Sequence, residues 1–287
     1  MLLKGNSKMH DAPQNNSTKA IGIFDSGLGG LTVLKEIAKL LPGEDLVYFG
    51  DSGRTPYGTK SKDTVIRYTQ QDINFLLSQN VKMIVIACNT ASACSLDIVS
   101  EKYHVPVVEV VGPGSRAASR VTKNNSIAVI GTSATISSHV YEKALKKINP
   151  DITYSGKACP LFVPLVEEGW WDKKITEDII AEYLDSIRYS NPDTLILGCT
   201  HYPLLQDAIA RVLGPDINLV NSAGAVAAEV KEALVRENLL RISDGDNIHR
   251  GKVSYFTSDS VEKFASLGSM FLGKELDNVT KIDIDAY

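Results

Sequence analysis

Short apolar runs rich in Val and Ile recur along this chain, and the stretches between them carry apolar residues at helical spacing. The runs are continuous rather than alternating. A strand that reads this way is buried on both faces, as parallel strands covered by helices are. IGIF (21–24), LVYF (46–49), MIVIA (83–87) and PVVEVV (106–111) read as strands. Helices are expected over LTVLKEIAKLL (31–41), over 63–78 and from about Ala91, and GPGS (112–115) reads as turn material. The pattern then restarts with strands SIAVIG (126–131), ITYSGKA (152–158), TLILG (194–198) and INLV (217–220). The first helix of this second series, SSHVYEKALKKI (137–148), places Val140, Tyr141, Ala144, Leu145 and Ile148 on one face. Another, near 175–188, points Ile175, Ile179, Leu184 and Ile187 inward, and PLLQDAIARVL (203–213) begins with an early proline. A long Ala-rich helix (about 224–240), a polar loop, strand VSYF (253–256) and helix VEKFASLGSMFL (261–272) complete the chain. The expected class is α/β, with mainly parallel sheets flanked by helices.

The two series resemble one another. IGIFDSGLGG (21–30) aligns with IAVIGTSATI (127–136), and MIVIACNTAS (83–92) aligns with TLILGCTHYP (194–203), in the same order and at nearly the same offset. A duplication implies two pseudo-symmetric domains, each presenting one strand-end cysteine. The expected division is residues 21–113 together with 223–287 for the first domain and 114–222 for the second. Residues 1–20 are polar and read as a disordered tail.

Composition narrows the classes of function. Hydrophobic residues make up 44% and charged residues 22% of 287 residues, enough for a sizeable core. A net charge of −4 supplies no reason to expect nucleic acid or an anionic membrane as partner. No apolar run reaches the length of a membrane span. Four cysteines without CxxC spacing are too few for a disulfide scaffold, so a thiol-reducing, cytoplasmic setting is expected.

Parallel sheets bind ligands beyond the carboxyl ends of their strands. Four such ends here carry short polar residues: Asp25-Ser26-Gly27, Cys88-Asn89-Thr90, Gly131-Thr132-Ser133 and Cys199-Thr200-His201. Each alone reads as a helix cap; four at one topological position read as a shared polar cleft suited to a carboxylate or phosphate. DSGLGG lacks the spacing of a dinucleotide or P-loop fingerprint. Cys94 and Cys159 read as core, and His104, His139 and His249 as ordinary surface or core histidines. Cys88 and Cys199 differ, because each precedes a helix start, where a thiolate is accessible. A redox pair, metal ligands and a pair of acid/base thiols all stay open. Only His201 lies near enough in sequence to share a metal, short of the usual ligand count.

FDSGLGGLTV (24–33), TPYG (55–58), ACNTASA (87–93) and GCTHYPLL (198–205), in this order and spacing, resemble the bacterial glutamate racemase family, and the resemblance runs from about Ile21 to the last strand and helix. It implies two pseudo-symmetric α/β domains with the active site between them. It also implies cofactor-independent interconversion of L- and D-glutamate, supplying D-glutamate for peptidoglycan and the cell wall. Carried over by position, Cys88 and Cys199 are the two acid/base thiols, acting on the D- and L-enantiomer respectively. Asp25 supports the first thiol, and His201 and Glu167 the second. Ser26, Tyr57, Gly58, Asn89, Thr90, Thr132, Thr135 and Thr200 match substrate-binding positions, with Asp25 and His201 also in contact. The residues are consistent with that chemistry: no lysine stands at the polar strand ends to form a Schiff base with PLP, and no metal is expected. The partner is then a small-molecule substrate, glutamate, with no nucleic acid or membrane required; a homodimer is compatible with the sequence. Two rivals follow: a related cofactor-independent racemase acting on aspartate, and a non-catalytic binding protein for acidic metabolites.

Overall fold

The computed structural model describes residues 16–242 and 249–287. The first series of elements runs β1 (Ala20–Asp25), α1 (Leu31–Leu40), β2 (Leu46–Gly50), α2 (Lys62–Ser78), β3 (Val81–Ile86), α3 (Asn89–Lys102) and β4 (Val107–Glu109). Helix α4 (Val111–Val121) leads to the second series: β5 (Ser126–Gly131), α5 (Ser133–Ser137), α6 (Val140–Ile148), β6 (Thr153–Ala158), α7 (Phe162–Glu167), α8 (Lys174–Leu184), β7 (Thr194–Gly198), α9 (Gln206–Leu213) and β8 (Asn218–Val220). Helix α10 (Ala223–Arg236) returns the chain to the first unit, which gains β9 (Val253–Thr257), α11 (Val261–Leu272) and β10 (Val279–Lys281).

Among the described residues all strand pairs are parallel, in two sheets of order β10-β9-β2-β1-β3-β4 and β6-β5-β7-β8. The run β2-β1-β3-β4 is repeated as β6-β5-β7-β8, so the sequence duplication is a duplication of topology. β1 corresponds to β5 and β3 to β7. Both central pairs are topological switch points, where strand order reverses and a crevice opens beyond the strand ends.

The apolar runs are buried as their composition requires. Along β3, Met83 and Val85 join the cluster covered by α1 and α10, while Ile84 and Ile86 join a second cluster with Val65, Phe75 and Leu76 of α2 and Ala91 and Val99 of α3. A strand covered by helices on both faces has no solvent side to alternate with.

Several local expectations are corrected. GPGS (112–115) lies inside α4 and is not a turn. The Glu109 carboxylate accepts the N–H groups of Val111 and Gly112 at 2.5 and 2.7 Å, capping the helix start. Pro113 falls in the first turn, where its missing N–H costs nothing. The strand expected over 106–111 shortens to Val107–Glu109 for the same reason. The helix expected over 137–148 divides at His139, which takes a left-handed conformation (φ 55°), and Ile148 is exposed rather than inward. Ile175 likewise faces solvent; Ile180, Leu184 and Ile187 bury that segment. Residues 16–20 belong to the fold: 16–18 form a 3₁₀ turn, and the Lys82 ammonium donates to the Ser17 carbonyl at 2.7 Å. The rest of the expected tail, and part of the polar loop before β9, lie outside the described residues.

Candidate active site

The loops after β1, β3, β5 and β7 converge on a cavity between the two sheets. Of the expected residues, Ser26, Tyr57, Gly58, Cys88, Asn89, Thr90, Thr132, Cys199, Thr200 and His201 line it. Asp25, Thr135 and Glu167 stand behind this lining. Cys88 and Cys199, from equivalent strand ends of the two units, share the cavity and are each 5% exposed.

Cys88 is the N-cap of α3, and its sulfur accepts the Ala91 N–H at 3.5 Å and lies 3.5 Å from the Ser26 hydroxyl. Burial, reinforced by the nearby Asp25 charge, pushes the thiol up to about 12 against these hydrogen bonds. Asp25 is fully buried, and burial raises its carboxyl too, while the His201 charge and N–H groups of Gly30 and Gly27 oppose the shift. Its Oδ2 accepts from the Gly27 N–H at 3.0 Å, and its Oδ1 from the Thr200 hydroxyl of the other unit at 3.1 Å.

His201 stands between the second thiol and an acid. Its Nδ1 is 4.0 Å from the Cys199 sulfur and its Nε2 is 3.2 Å from Glu167 Oε1, at the end of α7. Burial disfavours the imidazolium, but contacts with Cys199 and Glu167 outweigh it and raise the ring to about 10. The same pairing outweighs burial at Glu167 and holds its carboxyl below the usual range. Phe271 packs edge-on against the ring, with centroids 5.7 Å apart.

Hydroxyls tie the units together across the cavity. Thr90 lies 2.9 Å from Thr132 and 3.3 Å from Thr135. The Tyr141 hydroxyl donates to Asn89 Oδ1 at 2.6 Å. Such groups present donors and acceptors that a dicarboxylate can take up. Tyr57 lines the cavity with its hydroxyl directed toward Asp51 and Asp72.

Sequence reasoning missed Thr55, Pro56 and Val163 as lining residues, and Tyr141 as the partner of Asn89. Thr55 and Pro56 stand in the TPYG segment, so adjacency could have found them; the Thr55 hydroxyl is buried without a partner among the described residues. Val163 and Tyr141 carry no polar signal in sequence. Among the described residues, no three His, Cys, Asp or Glu side chains are placed to hold a metal ion, and no lysine lines the cavity. No described helix is long and apolar enough to cross a membrane.

A family model described as Asp/Glu/Hydantoin racemase matches residues 21–230. The glutamate racemase of Geobacter metallireducens is 48% identical over 268 residues, covering 93% of this chain and 98% of that protein. The crystal structure of a glutamate racemase isoform from Bacillus anthracis superimposes with a TM-score of 0.88 at 38% identity, covering 93% of this chain and 98% of the other. That of Francisella tularensis glutamate racemase, solved in complex with D-glutamate, gives 0.87 at 38% identity over 94% of this chain and 100% of the other.

Proposed function

The chain belongs to the Asp/Glu/hydantoin racemase family, and from that premise we propose that it interconverts L- and D-glutamate by proton transfer between two thiols, supplying D-glutamate for peptidoglycan. The observation that carries this reading is the pair Cys88 and Cys199, presented from equivalent strand ends into one cavity.

The Cα proton of an amino acid is weakly acidic, so removing it needs a base in contact, an acid ready opposite, and fixed dipoles for the developing charge. From L-glutamate, the Cys199 thiolate takes the Cα proton and becomes a thiol. The Cys88 thiol gives its proton to the opposite face and becomes a thiolate. In reverse the roles exchange. The electrostatics match the L-to-D direction: Cys88 holds its proton tightly, and the His201 imidazolium sits beside Cys199. For D-to-L turnover Cys88 must give up its proton first, and the raised carboxyl of buried Asp25 lies close enough for their charges to interact. Asn89, Thr90, Thr132, Thr200 and Ser26 hold the two substrate carboxylates, with the start of α3 adding its backbone dipole.

Both thiols must stay reduced to exchange one proton, which suits a thiol-reducing compartment such as the cytoplasm.

The test is the optical activity of L-glutamate incubated with purified protein and no added cofactor, before and after dialysis against EDTA. Decay to zero rotation in both is expected. Stable rotation would refute the activity, and faster loss with L-aspartate would assign the other substrate. Slow alkylation of Cys88 and Cys199 by iodoacetamide, unaffected by glutamate, would favour a binding protein instead.

A further inference from the structure

Beside the cavity, at the end of β2, lies a polar cluster with no place in the proton transfers. Asp51 and Asp72 are fully buried, and between them stand one guanidinium, Arg54, and one phenol, Tyr57. Arg54 donates from Nε to Asp51 Oδ2 at 2.6 Å, from Nη2 to Asp72 Oδ1 at 3.0 Å and from Nη1 to Gln71 Oε1 at 2.6 Å. Its guanidinium carbon also stacks 4.1 Å from the centre of the Tyr68 ring. The Tyr57 hydroxyl touches Asp51 Oδ2 and lies 2.8 Å from Asp72 Oδ2.

Counting hydrogens limits the protonation states open to this cluster. A phenol has one hydrogen, so it donates to one carboxylate; its contact with the second needs a proton on that carboxyl. One guanidinium balances one carboxylate, which leaves the other neutral at least cost. Burial and the Asp51 charge push the Asp72 carboxyl well above its usual range, in keeping with a proton held within this cluster. Asp72 accepts from Arg54 through Oδ1 and shares a hydrogen bond with the Tyr57 hydroxyl through Oδ2.

The cluster ends on the cavity wall. Tyr57 is 1% exposed with its hydroxyl held away from the cavity, and the next residue, Gly58, packs so closely on Thr132 of the other unit that a Cβ there would lie 2.4 Å from the Thr132 Cβ. Thr132 in turn contacts Thr90. We propose that Asp51, Arg54 and Asp72 are positioning residues for substrate: through the Tyr57 hydroxyl they hold the Tyr57–Gly58 corner against Thr132 and so fix that wall of the cavity. The proposal rests on the glutamate reading above and adds how the chain preforms its substrate site. Binding rather than proton transfer should feel its loss.

The experiment measures KM and kcat for both glutamate enantiomers, D-glutamate affinity by calorimetry, and melting temperature. Tyr57→Phe and Asp72→Ala should each raise KM and Kd about tenfold, the worth of one buried hydrogen bond, with kcat changed far less. The double variant should lose less than the sum of the two single losses, because both singles remove the Tyr57–Asp72 contact. Asp72→Asn should restore what Asp72→Ala loses, since an amide keeps one acceptor and one donor in the same places. Should Asp72→Ala fail to fold, Tyr57→Phe, which deletes one oxygen, decides the matter. Wild-type KM in folded Tyr57→Phe, or Asp72→Asn as damaging as Asp72→Ala, would overturn the proposal. A wild-type protein that neither turns over nor binds glutamate would overturn the functional reading, and this proposal with it.

Discussion

His201 is held by two partners of different kinds, the thiol at the reaction centre and the Glu167 carboxylate, and each makes its own prediction. His201→Asn and Asp25→Asn should each slow turnover by about 10²–10⁴-fold, the usual worth of a positioned proton-transfer group. The equilibrium constant of a racemisation is unity by symmetry, so kcat/KM must fall equally in both directions. That the two residues serve different thiols can therefore show only in kcat and KM separately, as progress curves from each enantiomer would reveal. Unchanged turnover in both variants would reduce these residues to structural contacts. The Glu167 partnership is read from stability. The His201 share, raised from 6.5 to about 10, is complete below 6.5 and is lost as pH rises through 10; the Glu167 share, lowered from 4.5, is complete above 4.5 and is lost as pH falls below it. Glu167→Gln should thus cost about 1–3 kcal/mol in urea unfolding near pH 6. The deficit should close above pH 10, and a deficit independent of pH would contradict the ion pair.

Among the elements, the start of α1 shows how tightly the units approach. A Cβ on Gly29 would lie 2.2 Å from the Thr200 hydroxyl and 2.8 Å from His201 Nδ1, so no side chain fits without moving the groups around Cys199. Gly29→Ala should lower kcat/KM at least about tenfold, since small misplacements of reacting groups are costly. It should lower the melting temperature by only a few degrees, of the order of 1 kcal/mol. A variant with wild-type kinetics would show that this approach is slack. The central strands were legible in the sequence because continuous apolar runs require burial on both faces. Among the described strands nine overlap expected ones, including the edge strand β6, TYSGKA, of which no residue is fully buried, while the exposed edge strand β10, VTK, escaped. The start of α4 was not legible, since Gly-Pro-Gly reads as a turn until a carboxylate from the preceding strand is known to cap it. Ile148 and Ile175 were misplaced because apolar spacing shows which face is apolar, not where each helix ends against its neighbour.

For the whole molecule, the repeated strand order turns a linear duplication into a cleft with one thiol on each side. The site was legible as motifs, since short polar residues at strand ends stand out against apolar runs. Its supporting network was not: Asp51, Arg54 and Asp72 are ordinary charged residues in sequence, and Tyr141 is one tyrosine of 11. Their roles arise from tertiary proximity that no local pattern encodes. The central claim, two thiols acting from opposite faces of Cα, has a direct isotopic consequence. Racemisation started from protonated L-glutamate in D₂O is stopped early, and each enantiomer is separated and its Cα hydrogen content measured by mass spectrometry. If Cys199 removes the proton and Cys88 delivers one of its own, the new D-glutamate carries solvent deuterium while the remaining L-glutamate stays protonated. Early D-glutamate that keeps the substrate's proton would mean one base serving both faces, and would contradict the two-thiol site.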